Sequence, residues 1–138
     1  MGWLIDNAST LLLLVVFLLL TFRGPLMSRY FKVRQWTVHD LAKSLGEADP
    51  PLLVDVRSQG EYNQRHIRQA LLAPLHELKQ AAPAWREKHA QRPVAVICRS
   101  GSRSLMGAVT LRRLGFAQVY NVVGGMAHWE SQGYPTKP

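Results

Sequence analysis

Residues 93–104 read PVAVICRSGSRS. The first five are short, apolar and rich in β-branched side chains, and Arg92 and Pro93 bound them in front, the pattern of a strand buried on both faces. Cys98 follows directly. A short loop then leads into residues 102–114, where Leu105, Val109, Leu111 and Leu114 form an approximate helical stripe that Gly115 stops. Gly101 lets the loop curl so that consecutive backbone N–H groups converge on one point, and the start of the helix adds its positive dipole end. An anion is favoured in such a place. A thiol there, with Arg99 and Arg103 nearby, is expected to ionise near neutral pH, and the thiolate is the nucleophilic form.

Working outward, the chain alternates short apolar runs with amphipathic ones. PLLVDV at residues 51–56, ALLAPL at 70–75 and QVYNVV at 118–123 have strand length and composition. Thr37 with Asp40 reads as the cap of a helix over residues 38–45 ended by Gly46, and Ser58 with Glu61 as a capping box before a short helix over 61–66. Residues 76–89 have helical composition interrupted by Pro83, and residues 126–132 form a last short helix. Alternation of this kind predicts an α/β domain, an open parallel sheet of about five strands with helices on both faces. Such sheets place their sites at the carboxyl ends of the strands, here the turns after Val56, Ile97 and Val123.

The chain has 138 residues and one cysteine, with 17 Lys plus Arg against 9 Asp plus Glu. One cysteine excludes an intrachain disulfide framework and a four-cysteine zinc module. The net charge of +8 raises nucleic acid as a partner, but no helix-turn-helix, zinc finger or aromatic-basic interleaving is present, and nucleic acid is not expected. His39, His76, His89 and His128 show no spacing with carboxylates or cysteine that suggests a metal site, and neither a metal nor a cofactor is expected.

Residues 7–22 read NASTLLLLVVFLLLTF without a charge, and residues 3–22 make a candidate transmembrane helix of about 24–30 Å. Asp6 precedes the run, while Arg23, Arg29, Lys32 and Arg34 follow it. A cleaved signal would show the reverse charge order and a small-residue cleavage site. The positive-inside rule then puts the N-terminus outside and the rest in the cytoplasm, a single-pass protein of the inner membrane. Trp3, Phe22, Tyr30 and Phe31 are candidate interfacial anchors. Gly24 and Pro25 are expected to break the helix. The expected organisation is an anchor over 1–22, a basic juxtamembrane linker over 23–36, lying on the anionic leaflet or solvated, and a domain over 37–138.

The soluble part resembles the single-domain rhodanese-like sulfurtransferases. The resemblance is carried by LLVDVR at residues 52–57, EY and HI within 61–67, CRSGSRS at 98–104 and GGMAHWESQGYP at 124–135. Four residues separate Cys98 from Arg103, whereas related phosphatases place the arginine one residue further on; the tighter loop suits a sulfur atom rather than a phosphate. The resemblance implies that Cys98 takes a sulfane sulfur from a small anionic donor such as thiosulfate, or from a persulfide, and becomes a persulfide. It implies that the loop amides from Arg99 through Ser100, Gly101, Ser102, Arg103 and Ser104 hold the charge. Arg99 and Arg103 would attract the donor and stabilise leaving sulfite. No second cysteine exists to resolve the persulfide, so the acceptor, cyanide or a thiol, must be external.

Asp55 either orders the cysteine loop or pairs with Arg57, and both are read as loop-supporting; Arg57 is also expected near Glu61. His66 is read as structural, since an ionised thiol needs no general base. Gly124 and Gly125 are expected to allow close approach to the loop, and Trp129 to lie in the core. Arg65, Arg68, Gln69 and Leu72 depart from the family pattern and are expected to alter the substrate rim. A rhodanese-type binding or sulfur-carrier module that tethers a partner at the membrane is the alternative to the enzyme.

Overall fold

The computed structural model describes residues 2–138, with side chains from Asn7 onward; the expected roles of the Trp3 and Asp6 side chains lie outside the described residues. Five parallel strands form one sheet in the order β1-β5-β4-β2-β3, with β1 Arg34–Trp36, β2 Leu52–Asp55, β3 Ala70–Leu72, β4 Val94–Ile97 and β5 Val119–Val122. The helices are α1 Gly2–Tyr30, α2 Val38–Leu45, α3 Gln59–Gln64, α4 Leu78–Ala81, α5 Pro83–His89, α6 Ser102–Arg113 and α7 Gly125–Ser131.

Successive strand residues point to opposite faces, and both faces are covered. Val54, Val56, Val94, Val96 and Cys98 join Leu78, Val109, Leu111 and Phe116 in one core layer. Leu53, Ala95, Ile97 and Val122 join Val38, Leu41, Met126 and Trp129 in the other. Every residue of β4 is buried, which is why its sequence is a continuous apolar run rather than an alternating one. Thr37 caps α2 through a full capping box with Asp40. Ser58 caps α3 by accepting from the Glu61 N–H at 3.2 Å, but the Glu61 carboxylate is drawn to Arg103 instead.

The N-terminal region departs from expectation. The helix does not break at Gly24 and Pro25 but continues as α1 to Tyr30. Proline inside a helix removes one backbone bond and costs stability; here Met27 and Phe31 pack against the core, so tertiary contacts hold the last turns. Close packing needs a small residue on α1: a Cβ on Gly24 would stand 3.0 Å from Leu105 Cδ2 on α6. Arg112 Nε donates to the Phe31 carbonyl at 2.9 Å, and the Arg113 guanidinium lies over the Phe31 ring. Phe31 is thus a docking residue of the domain, not an interfacial anchor. Residues 34–36, expected within a linker, are the edge strand β1 paired with β5, so the stretch 23–36 is not a free tether. From Leu11 to Phe22 the α1 side chains are exposed, and this helix is long and apolar enough to cross a membrane.

Candidate active site

Strand β4 ends at Ile97 and delivers Cys98 to the carboxyl end of the sheet, where it has no exposed surface. Gly101 adopts φ +108°, a conformation that favours glycine, and turns the loop into α6. This turn aims the Gly101 N–H at Cys98 Sγ, 3.0 Å away. The thiol in turn donates to Ser104 Oγ at 3.3 Å. Burial pushes the Cys98 thiol upward, but hydrogen bonds from the Ser104 side chain and from the backbone of Ser104, Gly101 and Ser100 outweigh it. The result lies below the ordinary thiol range. Hydrogen bonds rather than the neighbouring arginines lead this lowering.

Two further residues, which the sequence reading missed, extend the cradle inward. Ser104 Oγ donates to Asn121 Oδ1 at 2.6 Å, and Asn121 Nδ2 donates to Gln35 Oε1 at 2.9 Å. A serine hydroxyl has one proton. Given to Asn121, it leaves Ser104 an acceptor for the thiol; turned to sulfur, it supports the thiolate. Asn121 thereby competes with Cys98 for one hydrogen. A polar residue within the apolar run of β5 was the one available signal, since buried polar groups must find partners.

The loop is clamped from the second core layer. Met126 N–H donates to the Cys98 carbonyl at 2.8 Å and Ala127 N–H to the Arg99 carbonyl at 3.0 Å. Gly125 sits so close that a Cβ there would overlap the carbonyls of Cys98 and Arg99, so no side chain fits.

Two neighbouring ion pairs lie beside the cradle. Asp55, fully buried, is gripped by Arg57 through Nε at 3.0 and 3.1 Å and Nη2 at 2.7 Å, and also accepts from the Arg57 N–H at 3.0 Å. The same Nη2 donates to the Arg65 carbonyl at 2.7 Å, which fastens the end of α3 to the end of β2. Between the two roles left open for Asp55, this geometry is the pairing with Arg57. Arg57 does not pair with Glu61. Arg103 does, bidentately, at 2.8 and 2.9 Å, across 42 residues of sequence. The Arg103 hydrogen bond leads in holding the Glu61 carboxyl below the usual carboxylate range.

A cavity of about 470 Å³ opens at this end of the sheet, lined by Arg57, Glu61, Arg65, Arg99, Met126 and Glu130 among others. Arg99, Ser100 and Ser102 are exposed, and Arg99 reaches the cavity lining. Of the departing residues, Arg65 reaches this rim, whereas Arg68 and Gln69 line a separate groove with Trp129 and Tyr134. Leu72 is in β3, paired with Asp55. His66 is buried, stacked on Tyr62 at 3.7 Å and bonded through Nδ1 to the Tyr62 carbonyl, a structural placement.

The fold and site together define a class, parallel α/β domains with a cysteine cradled by loop amides at the carboxyl end of a strand. Within that class, the rhodanese-like domain profile matches residues 37–132, and the chain belongs to the rhodanese-like family. The chain is 34% identical over 95 residues to a sulfurtransferase of Allochromatium vinosum, covering 69% of this chain and 86% of that one. It is also 34% identical over 88 residues to thiosulfate sulfurtransferase GlpE of Coxiella burnetii, covering 62% and 76%. The solution structure of the rhodanese-like domain of Anabaena Alr3790 matches with TM-score 0.68 and 30% identity, over 75% of this chain and 77% of that one.

Proposed function

We propose that this protein is a membrane-anchored sulfurtransferase that moves a sulfane sulfur through a Cys98 persulfide. The observation that carries the reading is the six-residue loop from Cys98 to Arg103 with Gly101 N–H 3.0 Å from Sγ, a cradle of sulfur size that favours a negative charge. With thiosulfate as donor, the Cys98 thiolate attacks the outer sulfur and the S–S bond of thiosulfate breaks. Sulfite leaves with the bonding electron pair. The persulfide anion inherits the cradle's N–H groups. An external nucleophile, cyanide or a thiol, then takes the outer sulfur, and the Cys98 thiolate is restored without any net oxidant. Arg99 on the rim and Arg103 beside it supply positive charge for an anionic donor. The names of the sulfurtransferase relatives support this chemistry, and thiosulfate is the donor in the name of one of them.

In the same reading α1 crosses the inner membrane, with its N-terminus outside and the domain cytoplasmic, as the basic residues after Phe22 favour. The test is intact mass of the full chain in nanodiscs before and after thiosulfate, with Cys98→Ser as control. A gain of about 32 Da on the wild type alone, removed by cyanide, is expected; removal separates a persulfide from an irreversible sulfinic acid. No gain with an alkylatable thiol would exclude thiosulfate as the donor, and no gain with an unreactive thiol would move the assignment to the binding module.

A further inference from the structure

The direction in which α1 leaves the domain fixes where the cysteine points. Gly24 of α1 packs against Leu105 of α6, and Phe31 is bonded to Arg112. Both pairs advance together along the two helices, so the end of α1 runs parallel to α6, and its membrane end lies at the N-terminus of α6. That N-terminus is where the Cys98 loop enters the helix. All five strands are parallel, so this end of the domain also holds the Arg57 and Val123 turns and the cavity mouth.

The heights agree. Phe22, the last residue of the apolar run, is about 3 Å before Gly24, and Ser102 is about 4.5 Å before Leu105. The start of α6 therefore stands at nearly the height of Phe22, against a headgroup layer roughly 5–7 Å deep on each side of the hydrocarbon. Exposed Leu26 and Met106 lie about 6 Å, just over one turn, beyond this level, and Arg23 and Arg99 are exposed near it. Lys32 and Arg34 are instead carried toward the opposite end, about 12 Å or more beyond Phe22. No free tether separates membrane helix and domain, because Met27 and Phe31 pack against the core and β1 follows at once.

We infer that α1 orients the domain as well as anchoring it, seating the mouth of the Cys98 cradle against the anionic lipid headgroups. The occupant of this surface is the lipid itself: the span is continuous with the packed helix, and exposed arginines and apolar side chains meet it. The sulfur donor and acceptor must then reach Cys98 along the bilayer surface rather than from the open cytoplasm. This inference rests on the reading of α1 as a membrane span.

The test uses the full chain with Cys98→Ser, reconstituted in nanodiscs of zwitterionic and anionic lipid doped with nickel-chelating headgroups. Single nitroxides are placed at the mouth, by Val123→Cys or Ser102→Cys, and at the far end of the sheet, by Gln91→Cys or Gln118→Cys. All four positions are exposed. The expected result is spin relaxation by headgroup nickel several-fold stronger at both mouth positions than at both far positions. Equal relaxation at the two ends, or the reverse order, in a chain that is inserted would overturn the orientation and leave the membrane reading intact. A chain that washes off the bilayer at high pH would overturn the span, and the orientation with it. The sulfur-transfer assignment is untouched by either result, because no arm reads activity.

Discussion

Two bidentate ion pairs sit close together beside the Cys98 cradle and differ in one respect. Asp55–Arg57 is buried, with side-chain exposures of 0% and 7%, whereas Glu61–Arg103 is about one-third exposed at 32% and 37%. Burial decides what each can do. A buried carboxylate has exchanged water for its partner, so loss of the arginine strands a charge. The partly exposed pair is screened by water and holds little stability, so in the proposed reaction Arg103 would exchange Glu61 for an anionic donor at small cost. One pair is part of the frame; in the proposed reaction the other is a reserve of positive charge close to Cys98.

The sharpest way to break this contrast is at the buried pair. Arg57→Met is expected to lower unfolding free energy by about 3–5 kcal/mol, because Asp55 is left uncompensated; urea unfolding of the full chain in detergent checks it. Arg103→Met should cost less than about 1 kcal/mol of stability, yet lower kcat/KM for thiosulfate by roughly tenfold to a hundredfold. If the two variants were equally destabilised, the distinction between frame and reserve would be gone.

Glu61→Gln sharpens it further. With the carboxylate charge removed, Arg103 is released to the donor, and KM for thiosulfate should fall a fewfold while that for a neutral donor stays unchanged. The pH dependence has a definite sign. Because the folded-state pKa of Glu61 is depressed, the stability it contributes is present above the ordinary glutamate range and is lost as pH falls through the lowered value. Wild type should therefore lose its small margin over Glu61→Gln only below about pH 4.5.

The smallest expected effects lie inside the cradle. Ser104→Ala removes a hydrogen bond to the thiolate, and the midpoint of Cys98 alkylation against pH should rise by about one unit or less. Asn121→Ala should move it the other way, since the Ser104 proton no longer has a competing acceptor. A rise in both variants would mean that Asn121 positions Ser104 rather than competes for its proton.

How much of this was legible beforehand follows from where each interaction is encoded. The buried strand 94–97, the cysteine at its end and the glycine that turns the loop are consecutive in sequence, so their consequences are local. The caps at Thr37 and Ser58 were legible for the same reason. Strand β1 was not: three residues, Arg34, Gln35 and Trp36, at an edge carry no alternation, and only pairing with β5 makes them a strand. Passage of α1 through Pro25 depends on the packing of Met27 and Phe31, a tertiary contact that overrides the local preference of proline. The Glu61–Arg103 pair spans 42 residues and was assigned to Arg57 because sequence proximity was the only guide. The lowering of the Cys98 pKa by converging loop amides was anticipated from the local sequence, but the leading part of the Ser104 hydroxyl was not, and the arginines named beside the amides are not among its main causes.

At the centre of this account, the hydrogen-bonded cradle outweighs burial and lowers the Cys98 pKa. Because the chain has a single cysteine, the difference in ultraviolet thiolate absorbance against pH between the full-length protein and its Cys98→Ser variant, which cancels the four tyrosines, reports this group alone. The account predicts a midpoint clearly below the ordinary thiol value of about 8.5, lost on unfolding. A midpoint at or above that value in the folded protein would contradict it, for burial would then have won over the loop.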